Sequence, residues 1–173
     1  RRGAEVTLIT GPVAITPPPF VKVVPVVSAA DMAEAVKETA DQQDIIIKTA
    51  AVADYRPSDP ADEKVKKKDA DTTLKLERTE DILAFLGAHH REEQFICGFS
   101  METENMLENS RIKLAKKNVD MIVANNLKVA GAGFGTDTNI VTLITKDDCR
   151  QLEIMSKADV AAAIVSEILQ KMQ

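Results

Sequence analysis

Four lysines occupy five positions of the stretch KVKKK, at Lys64, Lys66, Lys67 and Lys68. Ammonium groups clustered in this way can form a mobile flap that brings positive charge to a polyphosphate as negative charge develops on it. The alternative is a solvated loop or a weak interaction patch, which is the usual role of an isolated charge run. We expect residues 57–72 to form the flap.

The segment just before the lysines, TAAVAD, ends a predicted strand in small side chains. Ala50 and Ala51 would let a flat ring approach the backbone closely, so a nucleobase would fit there. Asp54 would then hold a ribose hydroxyl or a divalent cation, which prefers hard oxygen ligands. The alternative for Asp54 is a simple loop cap.

Further candidate residues follow later strands. Lys113 and Lys117 are four residues apart on a predicted helix, where an anion between them would relieve their repulsion. The alternative is two solvated lysines at a helix C-terminus that favours cations. Phe134 lies in the glycine-rich loop before Asn139, where an exposed ring would cover a base or ribose. Gly98, Phe99 and Glu102 come after the buried run 95–97, and Asn126 comes after the buried run 121–124.

Hydrophobic patterning supplies the elements that must position these residues. Strands are predicted over 6–10, 21–27, 44–53, 94–100 and 119–126, and helices over 29–40, 79–87, 104–117 and from Ser156 onward. Ser28, Thr79 and Ser156 are the expected N-caps. NIVTLIT and CRQLEIM are expected to form a hairpin. The alternation predicts an α/β, Rossmann-like, doubly wound, mostly parallel sheet with an antiparallel edge hairpin, whose ligands bind beyond the carboxyl ends of the strands.

Composition narrows the class of protein. The chain has 173 residues, a net charge of -5 and a pI near 5.1. This charge argues against nucleic acid as its main ligand, because duplex binding depends on Lys and Arg neutralising phosphates. No apolar stretch is long enough to cross a membrane. Cys97 and Cys149 are the only cysteines, which favours a reducing, cytoplasmic location. His89 and His90 are assigned to the surface.

Six stretches, in this order, resemble phosphopantothenoylcysteine synthetase, a coenzyme A biosynthetic enzyme that is often fused in bacteria behind a flavin-dependent decarboxylase. They are AAVADYRP, EKVKK, TEDIL, GFSMETEN, KKNVDMIVANN and GFGTDTN. The resemblance covers nearly the whole chain. It implies a homodimeric ligase in which the carboxylate of 4'-phosphopantothenate attacks the α-phosphate of CTP, with Mg²⁺ neutralising charge. The cysteine amine then displaces CMP from the acyl-cytidylate.

The resemblance also implies roles for particular residues. Lys64 is similar to the essential flap lysine of the family. The nucleotide-side positions are Ala50, Ala51, Asp54, Asp81, Gly98 and Phe99, and the phosphate-facing lysines are Lys113 and Lys117. Asn126, Phe134 and Asn139 fall in loops that match the substrate or intermediate site. Glu80 stands where the family commonly has proline.

The family opens with a strand, a glycine-rich turn and an Asn-x-Ser-Ser-Gly loop that are not found in these residues. We therefore interpret residues 1–173 as a single nucleotide-binding synthetase domain without that opening, and we expect it to be inactive alone. Two rival functions remain. A nucleotide-dependent oxidoreductase would need a glycine fingerprint at the first strand–helix turn. A non-catalytic nucleotide-sensing domain would use the lysine run to recruit an acidic partner.

Overall fold

The computed structural model describes residues 2–61, 63–64, 73–102, 104–126 and 135–173, without the side chain of Asn126. Its contacts divide the chain into two compact units. The first unit contains residues 1–38 and 50–81, and the second contains residues 39–49 and 82–173.

The first unit contains two small ladders and one helix. Strands β1 (Thr7–Thr10) and β2 (Lys22–Pro25) pair in parallel, and β4 (Tyr55–Pro57) pairs antiparallel with β5 (Leu76–Arg78). Helix α1 (Ala29–Thr39) begins as predicted after Ser28, whose Oγ accepts from the Asp31 N–H at 3.1 Å. Asp31 Oδ2 in turn accepts from the Ser28 N–H at 2.8 Å, so these hydrogen bonds lower the pKa of the Asp31 carboxyl group.

A five-stranded sheet organises the second unit, in the order β10-β9-β7-β6-β3. Its strands are β3 (Ile45–Lys48), β6 (Phe95–Glu102), β7 (Met121–Asn126), β9 (Val141–Thr145) and β10 (Cys149–Gln151). The pairs β3–β6 and β6–β7 are parallel, whereas β7–β9 and β9–β10 are antiparallel. The parallel sheet with an antiparallel edge hairpin is therefore confirmed.

Helices cover both faces of this sheet. Helices α2 (Ile82–Ala88) and α3 (Met106–Lys117) lie on the face of Gly98 and Ser100, while α4 (Lys157–Lys171) buries Val160, Ile164 and Ile168 against the other face. Ser156 caps α4 as predicted, because its Oγ accepts from the Asp159 N–H at 3.1 Å. A short ladder joins β8 (Thr138–Asn139) to β11 (Met155–Ser156). None of the helices in the described ranges is long and apolar enough to span a bilayer.

Two element predictions are wrong. The predicted strand over 44–53 ends at Lys48, because β3 is an edge strand of the described sheet and bonds only to β6. Its residues are half-buried or exposed rather than buried on both faces. Thr79 does not cap α2, which begins at Ile82. The Thr79 hydroxyl instead donates to the carbonyl of Ala53 at 2.5 Å.

Candidate active site

Phe99 and Lys113 meet near the carboxyl end of β6. The Nζ of Lys113 donates a hydrogen bond of 3.3 Å to the Phe99 carbonyl oxygen, and Lys113 is partly buried. The Phe99 ring packs on the opposite face of the sheet, against the core cluster that α4 covers. Since ligands of open α/β sheets bind beyond this end of the strands, the ammonium group stands where an anionic ligand would arrive.

Gly98 is buried beneath α2. A Cβ atom at this position would lie 2.6 Å from Leu83 Cδ2 and 3.1 Å from Ile122 Cδ1. Close packing of α2 on the sheet is therefore enough to require glycine there. A backbone contact from Gly98 to a nucleotide stays a prediction.

A buried pair of hydroxyl groups holds α3 against β6. Ser100 Oγ and Ser110 Oγ are 2.7 Å apart, and both side chains are buried. Within α3, only Ser110 and Leu114 are fully buried, so apolar packing alone fixes the helix weakly. Because a satisfied buried polar contact specifies one arrangement, this pair fixes α3 and with it Lys113, one turn farther on.

Lys117 lies one turn beyond Lys113 on the same face of α3. Its backbone is fixed by close contact with α2, since a Cβ atom at Gly87 would come within 1.7 Å of the Lys117 carbonyl oxygen. Asn118 strengthens this junction by donating from Nδ2 to the Gly87 carbonyl at 2.8 Å. Both predicted phosphate-facing lysines are thus carried by a firmly held helix.

Amide and carboxylate side chains end the neighbouring strands. Glu102 is the last residue of β6 and is the register partner of Asn126, the last residue of β7. The Oδ1 of Asn125 is buried and accepts no hydrogen bond from the described residues. Asn139 is partly buried in β8, where its Oδ1 accepts from the Ile140 N–H at 3.0 Å. The predicted roles of the Asn126 side chain and of Phe134 lie outside the described residues.

The remaining predicted residues belong to the first unit. Ala50, Ala51 and Asp54 are exposed and lie between β3 and β4 rather than in a strand. The Asp54 carbonyl accepts from the Thr79 N–H at 3.0 Å. This hydrogen bond joins the chain just before the predicted flap to the chain just after it. Lys64 is exposed. Asp81 is also exposed and immediately precedes α2.

The base of the predicted flap is an ordered ladder. Across β4 and β5, Arg56 Nε pairs with Glu77 Oε1 at 2.7 Å, and the Arg78 guanidinium lies 5.9 Å from the centre of the Tyr55 ring. Surface contacts of this kind contribute only a few tenths to 1 kcal/mol each. These contacts nevertheless fix β4 and β5 against each other, and the segment that carries Lys64 connects these two strands. Residues 62 and 65–72 lie outside the described residues.

The fully buried thiol is not a plausible nucleophile. Burial, and to a lesser degree the negative charge of Asp120, raises the pKa of the Cys97 thiol to about 12. The thiolate is the reactive form of cysteine, so Cys97 is inert at neutral pH. The arrangement instead suits catalysis by positioned cations, with lysines rather than a covalent protein intermediate stabilising the reacting groups.

Comparison with known proteins identifies the family. The family described as "DNA/pantothenate metabolism flavoprotein C-terminal domain" matches this chain over residues 1–172. The chain belongs to this family. Its sequence is 52% identical over 168 residues to the coenzyme A biosynthesis bifunctional protein CoaBC of Bacillus subtilis (strain 168), covering 96% of this chain and 41% of that protein.

Two further similarities complete the comparison. A cysteine/cysteine sulfinic acid decarboxylase of an unknown prokaryotic organism is 44% identical over 169 residues, covering 96% of this chain and 47% of that protein. The crystal structure of the C-terminal domain of a CoaBC superimposes with a TM-score of 0.81 at 44% identity, covering 98% of this chain and 77% of that one. The Rossmann-like fold is therefore confirmed. The chain spans less than half the length of these curated relatives.

Proposed function

We propose that this chain is the synthetase part of a phosphopantothenate–cysteine ligase that uses CTP. The observation that carries the proposal is the similarity of 98% of the chain to the solved C-terminal domain of a coenzyme A biosynthesis protein. The Lys113–Phe99 contact supports it, because it presents a cation at the ligand-binding end of the sheet.

In the first step, a carboxylate oxygen of 4'-phosphopantothenate attacks the α-phosphorus of CTP. The new O–P bond forms as the bond to the bridging oxygen of pyrophosphate breaks, and pyrophosphate leaves with the electron pair. Negative charge grows on the departing group, so ammonium groups placed there lower the barrier. We assign this role to Lys113 and Lys117 on α3 and to Lys64, the three lysines that the resemblance to the family names.

In the second step, the amine of L-cysteine attacks the carbonyl carbon of the acyl-cytidylate. The N–C bond forms, the C–O bond to the phosphate breaks, and CMP leaves with that electron pair. The nitrogen loses a proton to give the amide. Lys64 would stabilise the phosphate charge in this step as well. Asn126, Phe134 and Asn139 are proposed to hold the intermediate.

The cytidine and its metal are assigned to residues that the resemblance to the family names. Ala50, Ala51 and Asp81 of the first unit, and Gly98 and Phe99 of the second, are the proposed nucleotide-binding positions. Asp54 would hold Mg²⁺, which proteins usually bind with one or two carboxylates while phosphates and water complete the shell. One exposed carboxylate fits this pattern. When bound, Mg²⁺ would neutralise triphosphate charge.

The proposal extends to partners and location. A bifunctional relative and a relative named as a decarboxylase support fusion to, or association with, a phosphopantothenoylcysteine decarboxylase. A homodimer is supported by Tyr55, Leu74 and Leu76, which are 52%, 64% and 52% exposed on or beside the β4–β5 ladder. Both described cysteines are free, which is consistent with a cytoplasmic enzyme.

The first prediction tests the flap lysine. In a chain that also carries the family's glycine-rich opening and Asn-x-Ser-Ser-Gly loop, Lys64→Ala should lower the rate of cysteine ligation by about 10²–10³-fold or more, as expected for loss of a group that stabilises developing charge. Pyrophosphate release and product formation would be measured with each of the four ribonucleoside triphosphates. Release should require phosphopantothenate and be fastest with CTP.

The matched control is Lys75→Ala, which removes another exposed lysine of the same excursion. It should leave the rate within about twofold, as is usual for surface substitutions. Lys64→Ala activity within a few-fold of the parent would refute the flap assignment. Absence of phosphopantothenate-dependent pyrophosphate release in the parent chain would refute the ligase itself.

A further inference from the structure

Glu102 is a carboxylate at the carboxyl end of β6 to which the sequence alone assigns no role. Side chains alternate along a strand, so Glu102 shares a face with Gly98 and Ser100. This is the face on which α3 packs through the bond between Ser100 and Ser110. Lys113, on the same helix, contacts the same strand at Phe99. Glu102 therefore lies at the strand end next to the proposed phosphate-binding helix.

Among the described residues, one weak contact orients the Glu102 carboxylate. The Nδ2 of Asn109 on α3 lies 3.5 Å from Glu102 Oε2 and donates a shorter hydrogen bond, of 3.0 Å, to the Glu104 carbonyl. The carboxylate thus faces a neutral amide and keeps most of its capacity to accept hydrogen bonds.

No lysine, arginine or histidine within the described ranges forms an ion pair with Glu102. Other carboxylates do: Glu167 pairs with Arg150 at 2.6 Å, and Glu80 pairs with Lys37 at 2.6 Å. Glu102 is partly buried, so a cationic partner would offset the hydration that its carboxylate loses. Its position at the ligand-binding end of the sheet makes a cation of the substrate suitable for that role.

We propose that Glu102 binds the α-ammonium group of L-cysteine and accepts its proton, acting as the catalytic base of the amide-forming step. The inference rests on the proposed function and names the residue that acts on the second substrate. An ammonium group has no lone pair and cannot attack a carbonyl. A carboxylate at hydrogen-bond distance both attracts the cation and can remove the proton that blocks the attack.

The step balances without any additional reagent. One N–H bond of the ammonium group breaks and its proton moves to a Glu102 carboxylate oxygen, which leaves the nitrogen lone pair free. That pair forms the N–C bond, and the C–O bond to phosphate breaks with its electrons leaving on CMP. A second proton passes from the nitrogen to water as the amide forms.

The test separates the two halves of the reaction in the full chain. Glu102→Gln preserves shape and removes the base. Pyrophosphate released in the first turnover, with CTP and phosphopantothenate but no cysteine, should stay within about threefold of the parent. Transfer to cysteine should fall by about 10²-fold or more, the usual size of a general-base contribution. Glu104→Gln, two residues away in an exposed position, is the matched control and should change neither half.

Hydroxylamine gives a second readout that a structural role would not produce. It is largely uncharged at neutral pH and captures an acyl-nucleotide as a hydroxamate without needing a base. Glu102→Gln should therefore form hydroxamate at nearly the parent rate while failing with cysteine, and Glu102→Asp should recover part of the cysteine reaction. Two results would overturn the proposal. One is transfer to cysteine by Glu102→Gln at a rate within a few-fold of the parent, and the other is an equal loss of the hydroxamate and the cysteine amide. If the parent protein releases no pyrophosphate, the result contradicts the proposed ligase function itself.

Discussion

The ammonium group of Lys113 rests against a neutral acceptor, the Phe99 carbonyl oxygen, at 3.3 Å. A hydrogen bond to a phosphate oxygen is stronger than one to a carbonyl because both partners are charged. The ammonium group therefore lies in the carboxyl-terminal half of β6 and forms no ion pair with a carboxylate of the described residues. We expect it to turn from the carbonyl to the nucleotide when CTP binds.

This contact gives the residue-scale prediction. Lys113→Met keeps most of the apolar stem and removes the charge, so KM for CTP should rise about tenfold or more, the effect of losing one charge-assisted hydrogen bond. KM for cysteine should change by less than about twofold. Lys116→Met, which removes an exposed neighbouring lysine of α3, is the control. Equal KM values for CTP in both variants would remove Lys113 from the nucleotide site.

At the scale of elements, the junction between α2 and α3 determines where the lysine-bearing helix sits. Gly87 allows the two helices to approach so closely that even one methyl group has no room beside the Lys117 carbonyl. Asn118 adopts a left-handed backbone conformation, with φ of 50°, and closes α3 while bonding to α2. Packing here is therefore specified by backbone contact, which does not tolerate added volume.

The junction predicts a large effect on stability. Gly87→Ala should lower the free energy of unfolding by about 2–4 kcal/mol, in spite of the better helix propensity of alanine, because overpacking against backbone forces α2 and α3 apart. Denaturant titration followed by circular dichroism would measure it. Gly11→Ala is the control, since the nearest atom to a Cβ there is 3.9 Å away. Comparable stability of the two variants would contradict the close approach at Gly87.

The elements also show what sequence can and cannot predict. Ser28 and Ser156 were predicted as helix caps because the cap and its acidic partner lie three residues apart, and both are confirmed. Thr79 lacks an acidic residue three positions later, and its hydroxyl bonds to Ala53, 26 residues away. The length of β3 likewise depends on which strands flank it. A cap with its acidic partner was therefore predictable from a few residues, whereas features that depend on distant partners were not.

The same limit applies to the site. The sequence indicated Lys113 and Phe99 as separate candidates, but their contact requires α3 to fold back onto β6. Glu102 was noted after a predicted strand but given no role, because an acidic residue there is ordinary until its lack of an ion-pair partner among the described residues is known. The roles of Lys64, Asp54 and Asp81 stay predictions, since only ligand-bound measurements bear on them.

Considered as a whole molecule, the chain has residues with proposed nucleotide roles in each of its two compact units. Asp54 and Lys64 belong to the first, whereas Phe99 and Lys113 belong to the second. A ligand that binds the folded chain alone stabilises it by mass action. The unfolding temperature of the chain therefore reports nucleotide binding independently of catalysis.

The whole-molecule prediction follows from this linkage. CTP with Mg²⁺, at about 100 times its Kd, should stabilise the full chain by about 2.7 kcal/mol and raise Tm by several degrees in differential scanning calorimetry. Removing Mg²⁺ with a chelator should abolish most of the shift, because bare triphosphate charge then repels itself and the acidic chain. Lys113→Met should reduce the shift, and Lys116→Met should not. A Tm that is indifferent to every triphosphate would contradict nucleotide binding.

The buried thiol of Cys97 has a consequence for the redox environment in which such an enzyme works. With its pKa raised to about 12, only about one molecule in 10⁵ carries the thiolate at pH 7, and the thiolate is the species that attacks disulfides. The L-cysteine substrate proposed above would bring with it some of its oxidised form, cystine. The interior of the sheet is protected from mixed-disulfide formation with that oxidised form, and partly buried Cys149, on edge strand β10, is the cysteine on which such adducts would accumulate.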